Sequence, residues 1–420
     1  MSTFVLERIN VFDPASGTRL EGVDVCVSDG VIASIGTVPP SVSPDVRYTL
    51  PGHTLLPGFI DLHVHVVASK TNLGANAVMP NFLAALRTVP IVRGMLNRGF
   101  TTVRDAGGAD FGMCEAINTG VLLGPRILSS GKALSQTGGH GDFRPRSDQL
   151  MSDACGCLGR QGAIARVVDG EDAIRLAVRE EILKGATQIK VMASGGVASP
   201  NDSITNTQYS EAELRAAVEE AEAAGTYVMA HAYTPRAIRR AIECGVRCIE
   251  HGNLVDEATA RMMVERNVYM VPTLATLDHL LSHGPALGFP PESLEKIDAA
   301  RSVGREALRL LARVGVKAGF GSDMLGELHV HQSDEFVARA QIVGNLEAIR
   351  SATSVAAEII GEAGVRGTVS VGAKADLVVV AGDPVADLSL LLGQGEHIPM
   401  VIKAGVCVKH AGQLLEPVAA

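Results

Sequence analysis

The chain has 420 residues, 46% of them hydrophobic and 20% charged, with 45 glycines, no tryptophan and a formal net charge of −9. That length outgrows a single core and predicts one large domain with a smaller companion, and the apolar, glycine-rich make-up excludes a disordered or fibrous protein. The acidic balance leaves no basic face for phosphates, which excludes nucleic acid as a partner.

Residues 1–10 carry Glu7 and Arg8 and lack the apolar core of a signal peptide, and no stretch has the uninterrupted apolar length of a membrane span. A soluble, cytoplasmic protein with no membrane partner is therefore expected. Seven cysteines, at 26, 114, 155, 157, 244, 248 and 407, are odd in number and scattered, which fits reduced thiols better than a disulfide framework. Cys155-Gly156-Cys157 has no second pair nearby and reads as a glycine-rich loop.

In chain order, residues 4–12, 23–27 and 31–35 read as short strands separated by Asp13-Pro14 and Asp29-Gly30. Residues 376–384 and 401–408 have the same texture. Both chain ends, 1–56 and 368–420, are expected to form one discontinuous β-sandwich domain with residues 57–367 inserted between them. The inserted part alternates apolar strands with amphipathic helices. Strand candidates at 58–65, 100–105, 126–131, 187–193, 226–231, 247–251, 268–273 and 316–322 predict a parallel α/β fold, a (β/α)8 barrel of the TIM type. Its helices look like scaffold: 211–224 starts on Ser210, with Glu213 completing a capping box and Gly225 ending it. The long connections 66–85 and 132–165 are placed over the barrel mouth, where such a fold keeps its active site.

The chemistry-bearing residues sit at strand ends. In Pro57-Gly58-Phe59-Ile60-Asp61-Leu62-His63-Val64-His65 the period-two alternation of a strand turns both imidazoles to one side, which makes half a metal site. Lys190, between Ile189 and Val191, points into the barrel, where an unpaired ammonium is costly. A neutral amine there can take up carbon dioxide to form a two-oxygen carbamate able to bridge two metals. His231 and His251 end the fifth and sixth strands, and Asp323 follows Gly321-Ser322 at the end of the eighth. A carboxylate so placed can bind metal and move a proton, although alone it would equally cap a helix.

Together with the closing Gly372-Ala373-Lys374-Ala375-Asp376-Leu377-Val378-Val379, these residues resemble the amidohydrolase superfamily over essentially the whole chain. The resemblance implies two divalent metal ions, with zinc expected: His63, His65 and Asp323 hold one, His231 and His251 the other, and N-carboxylated Lys190 and a hydroxide bridge them. The loop Thr137-Gly138-Gly139-His140-Gly141-Asp142, the step His231-Ala232-Tyr233 and the run from Asp323 to Gln332 resemble the metal-dependent prolidase and carboxypeptidase group related to imidazolonepropionases. Members of that group hydrolyse Xaa-Pro dipeptides or N-acyl amino acids, and related ones open the amide of ochratoxin A. The implied reaction is attack of the bridging hydroxide on an amide carbonyl, with Asp323 as proton carrier and a homo-oligomer, octamer included, as the working form.

His140 and Tyr233 are candidates for holding the developing oxyanion. A substrate with a free carboxylate calls for a guanidinium, and Arg144 and Arg146 lie in the same loop as His140. His329 and His331, just past Asp323, are candidates to reach the pocket, with a structural role an equal reading given Val330 between them and helix onset after Gln332. Two rivals remain. A mononuclear deaminase or cyclic-amide hydrolase of the imidazolonepropionase kind has no use for a bridging lysine. A catalytically inactive barrel serving as a binding protein would have lost ligands, and here every ligand position is filled.

Overall fold

The computed structural model describes residues 3–40, 42–144, 159–197, 199, 202–289 and 291–416. The parallel strands Phe59–Val64, Phe100–Asp105 and Arg126–Ser129 form one run, and Ile189–Met192, Val228–Ala232, Cys248–His251 and Tyr269–Val271 form another. Between the two runs, the Thr187 N–H donates to the Ser129 carbonyl at 2.8 Å. The architecture is the expected α/β barrel of the (β/α)8 kind, joined to a β-rich part made by both chain ends.

The eighth position differs from a regular strand. Residues 316–322 run extended between the seventh strand and the first, with Gly319 N donating to Met270 O at 2.9 Å and Leu62 N to Phe320 O at 2.8 Å. Beyond one isolated bridge, Met270 to Ala318, no ladder forms there. The glycines explain both the approach and the weak ladder: a Cβ on Gly319 would meet Leu62 Cδ1 at 2.3 Å, and one on Gly321 would meet Val271 Cγ1 at 2.4 Å. Inside the long connection 132–165, Ala133–Ser135 pairs with Ala165–Val167 and with the fourth barrel strand, adding two short strands that the composition did not announce.

The chain ends share one nine-stranded sheet. Leu377–Ala381 runs antiparallel to His53–Pro57, with Leu377 opposite Pro57, so the closing segment lies beside the strand that leads into the barrel. Leu6, Ile9, Val25, Ile32, Leu55, Leu377, Val379 and Ile402 are its buried core. The helix Glu211–Ala223 carries the expected capping box of Ser210 and Glu213. Cys26, Cys114, Cys244, Cys248 and Cys407 are free thiols, while Cys155 and Cys157 lie outside the described residues. Among the described residues no helix is long and apolar enough to cross a membrane.

An aromatic cluster clamps the first, second and eighth positions. Phe59, Phe100 and Phe320 surround Phe336 of the helix Asp334–Val343, with ring centroids 5.1 Å (Phe59), 6.1 Å (Phe100) and 4.6 Å (Phe320) from it. All four are buried. Phe336→Ala is expected to cost about 3–5 kcal/mol in urea unfolding; a loss below about 1 kcal/mol would mean that the cluster does not hold the seam.

Candidate metal centre

Asp61 organises the ends of the first strand and the eighth segment. It is fully buried and accepts from Ser322 Oγ at 2.5 Å, Gln332 Nε2 at 2.8 Å, and the N–H groups of His63 and Ser322 at 3.1 Å each. Burial raises its pKa to about 6 against the pull of those bonds. Asp105 does the same for the turn after His65, accepting from the N–H groups of Val66, Gly107 and Ala109.

Each imidazole is fixed by what its other nitrogen touches. His63 Nδ1 lies 2.7 Å from Glu250 Oε2 and His65 Nδ1 2.9 Å from the Gly107 carbonyl. A carboxylate and a carbonyl only accept, so both Nδ1 atoms carry the proton and both Nε2 lone pairs are free. Those Nε2 atoms are each 3.6 Å from Asp323 Oδ1. His231 Nε2 faces the Gly195 carbonyl at 3.2 Å, which leaves Nδ1 as its lone pair. His251 Nδ1 lies 2.8 Å from Thr273 Oγ1 and 4.0 Å from Asp323 Oδ2. Burial drives the pKa of His63, His231 and His251 well below the ordinary value and that of His65 to about 3, so all are neutral, the form that ligates metal. His63, His251 and Asp323 each offer a ligand atom within 4.8 Å of the others.

Lys190 sits at the middle of its strand, 1% exposed and facing this pocket, while Ile189 and Val191 pack on the helix side as alternation requires. Burial lowers its pKa to about 8, opposed by the charges of Glu250 and Asp323. Burial raises Asp323 to about 7, with the Lys190 charge opposing. Asp323 and His251 both adopt left-handed backbone, at φ of 49° and 71°, a conformation costing about 1–3 kcal/mol that a non-glycine keeps only where its surroundings impose it. At both positions the chain leaves the barrel wall and turns its side chain over the mouth.

His140 and Tyr233 complete the rim. The His140 ring stacks on His231 with centroids 4.2 Å apart, its Nδ1 is 3.4 Å from Asp202 Oδ2, and its N–H donates to Gln208 Oε1 at 2.9 Å. Gly196 makes room for it, since a Cβ there would come within 2.3 Å of the imidazole. Tyr233 stacks on His251 at 5.2 Å, and burial pushes its phenol well up, so it stays a donor. Leu73, Phe143, Ile164, Val197, Leu277 and Leu280 wall a pocket above these groups.

The structure thus brings His63, His65, Lys190, His231, His251, Asp323, His140 and Tyr233 to one pocket. It does not bring Arg144 or His329 to its lining. Arg144 grips Asp142 with two bonds, 2.6 Å from Nε and 2.7 Å from Nη2, a local pairing that turns the guanidinium aside while Phe143 faces the pocket. His329 is buried with Nε2 3.1 Å from the Ala68 carbonyl, and His331 turns to Asp334 at 3.1 Å. Arg146 lies outside the described residues.

Sequence reasoning missed Glu250 and Arg104. Glu250 accepts from His63 and, at 2.8 Å, from Arg104 Nη2, and Arg104 also donates from Nε to the Leu62 carbonyl at 2.8 Å. Both are fully buried. The available signal was an arginine and a glutamate inside apolar strand runs, each of which needs a partner. Because Glu250→Gln strands the Arg104 charge, it is expected to lower stability by about 3–5 kcal/mol in urea titration; near-wild-type stability would show that Arg104 is satisfied without it.

Comparison with known proteins follows the same geometry. Residues 54–408 match the model of the amidohydrolase family. The chain is 31% identical to ochratoxinase of Aspergillus niger over 95% of its own length and 85% of that protein. It superposes on a prolidase crystallised with N-methylphosphonate-L-proline with a TM-score of 0.94 and 56% identity, covering 97% of this chain and all (100%) of the other. An Xaa-Pro dipeptidase with methionine bound in its active site gives a TM-score of 0.82 at 29% identity, covering 97% of this chain and 100% of the other. The chain belongs to the amidohydrolase family, hydrolases that generally depend on bound metal.

Proposed function

We propose that this protein is a binuclear metal-dependent hydrolase that cleaves the amide bond to a C-terminal amino acid, with Xaa-Pro dipeptides, N-acyl amino acids and ochratoxin A as the substrate class. The observation that carries the proposal is the convergence of four neutral imidazoles, Lys190 and Asp323 beneath an apolar-walled pocket. The similarity to a prolidase and to ochratoxinase supports the amide and its free carboxylate.

The donor set fits two divalent ions, zinc by preference. His63, His65 and Asp323 would hold one and His231 and His251 the other. Lys190, deprotonated and carboxylated on Nζ by carbon dioxide with loss of a proton, would supply an oxygen to each. Such ions polarise a carbonyl and lower the pKa of water.

The remaining work falls to side chains. Asp323 takes the proton from the attacking water and returns it to the leaving nitrogen. The Tyr233 hydroxyl donates toward the carbonyl oxygen as charge develops there, and the His140 imidazole packs beside it against His231. Leu277, Leu280 and Phe143 offer apolar surface to a proline ring or an aromatic acyl group. No acidic residue other than Asp323 lines this pocket among the described residues, which disfavours basic side chains.

The test is release of free amino acid from a panel of Xaa-Pro dipeptides, N-acyl amino acids and ochratoxin A, with wild type and Lys190→Ala. Turnover of at least one class, lost by about 10³-fold or more in the variant, is the expected result. Turnover only of cyclic amides or amines would replace the proposal with the imidazolonepropionase-like reading.

A pH dependence follows from the same groups. Asp323 and Lys190 must lose protons before metal binds, and their pKa values of about 7 and about 8 lie within the working range. Protons therefore compete below these values, and zinc affinity of the metal-free protein is expected to rise about tenfold or more per pH unit between about pH 6 and about pH 8. A flat profile in dialysis against buffered zinc would contradict the assigned ligands.

A further inference from the structure

Outside the barrel mouth, a second histidine cluster has the make-up of a metal site. His279 and His283 are four residues apart on the helix Ala275–His283 and so share a face, and His331 ends the short 3-10 helix Gly326–His331. Their ring centroids are 3.9 Å (His279 to His331), 5.6 Å (His279 to His283) and 5.5 Å (His283 to His331) apart. One ring nitrogen from each lies within 4.8 Å of the others.

The hydrogen bonds decide which nitrogens carry protons. Asp334 Oδ2 accepts from His279 Nε2 at 2.8 Å and from His331 Nδ1 at 3.1 Å. His283 Nδ1 faces the His279 carbonyl at 3.1 Å. A carboxylate cannot donate, so His279 Nδ1 and His331 Nε2 are left unprotonated, while His283 Nδ1 also meets the Ser282 hydroxyl at 3.0 Å, which can donate or accept. Of these, His279 Nδ1 is buried and has no hydrogen-bond partner, an acceptor left without a donor. Three clustered imidazoles, two of them oriented by one outer carboxylate, supply the donor type and number of a transition-metal site. His283 is exposed and His331 partly so, which leaves a path for an ion to enter.

We propose that His279, His283 and His331 bind one zinc-class divalent ion, with Asp334 orienting two of the rings. The site is separate from the catalytic pocket but shares its wall. Thr276, Leu277 and Leu280 of the same helix line that pocket, and Thr276 Oγ1 donates to the Asp323 carbonyl at 2.9 Å. Leu325, just before the 3-10 helix, lines it from the other side. An ion here clamps the two segments that flank Asp323 and so stiffens the pocket wall.

The test compares wild-type holoenzyme with His283→Gln and with His283→Gln/His331→Gln after dialysis against micromolar zinc. The double variant is expected to retain one zinc fewer per chain by elemental analysis. It is also expected to lose the zinc-dependent rise in Tm that wild type shows, while keeping its catalytic metals. Because the count is a difference between proteins, it stands whether or not the catalytic reading holds. If the double variant fails to fold, the exposed His283→Gln variant alone carries the comparison. Equal zinc content in all three proteins, or an extra equivalent in wild type that needs millimolar zinc, would overturn the proposal.

Discussion

The architecture depends on one buried chain of charge, Arg104 to Glu250 to His63. An arginine and a glutamate without exposure are tolerable only because they neutralise each other at 2.8 Å, and the glutamate's second oxygen then holds the proton of His63 on Nδ1. The pair lies across the barrel interior, joining the first, second and sixth strands. It fixes the tautomer of an imidazole at the mouth with a charge that never meets solvent. The same lowered dielectric explains why Lys190 and Asp323, which line one pocket, are pulled toward their neutral forms.

Packing and polar contacts divide the labour of placing the site. The aromatic cluster of Phe59, Phe100, Phe320 and Phe336 secures the bottom of the seam where the eighth segment forms no ladder, and Asp61 secures its top by bonding Ser322 and Gln332. Between them the glycines let the eighth segment approach its neighbours closely enough for Asp323 to reach the imidazoles of the first strand. The left-handed backbone at Asp323 and His251 is the local cost of aiming those side chains across the mouth.

The residues whose placement at the pocket depends on local pattern were legible in the chain. His63 and His65 follow from strand alternation, Lys190 from an ammonium inside an apolar strand, and His231, His251 and Asp323 from the repeated position at strand ends. The partners that make these residues work were not, because Arg104, Glu250 and Asp61 find each other or their donors only after the barrel closes. Arg144 shows the opposite limit: its pairing with Asp142 two residues earlier is readable locally, and it outweighs the wish for a guanidinium in the pocket. The histidine cluster outside the mouth is of the second kind, since His331 and Asp334 join His279 and His283 only through the fold. The eighth strand was placed correctly and given too regular a form, since glycine permits close approach while weakening the ladder.

The binuclear centre is open to inspection by anomalous diffraction from crystals of the zinc-loaded protein grown with bicarbonate. Two peaks are expected at the barrel mouth, one against His63, His65 and Asp323 and one against His231 and His251, with density on Lys190 Nζ extended by a carboxylate that reaches both. A single peak at the mouth, or an unmodified lysine between two ions, would contradict that arrangement.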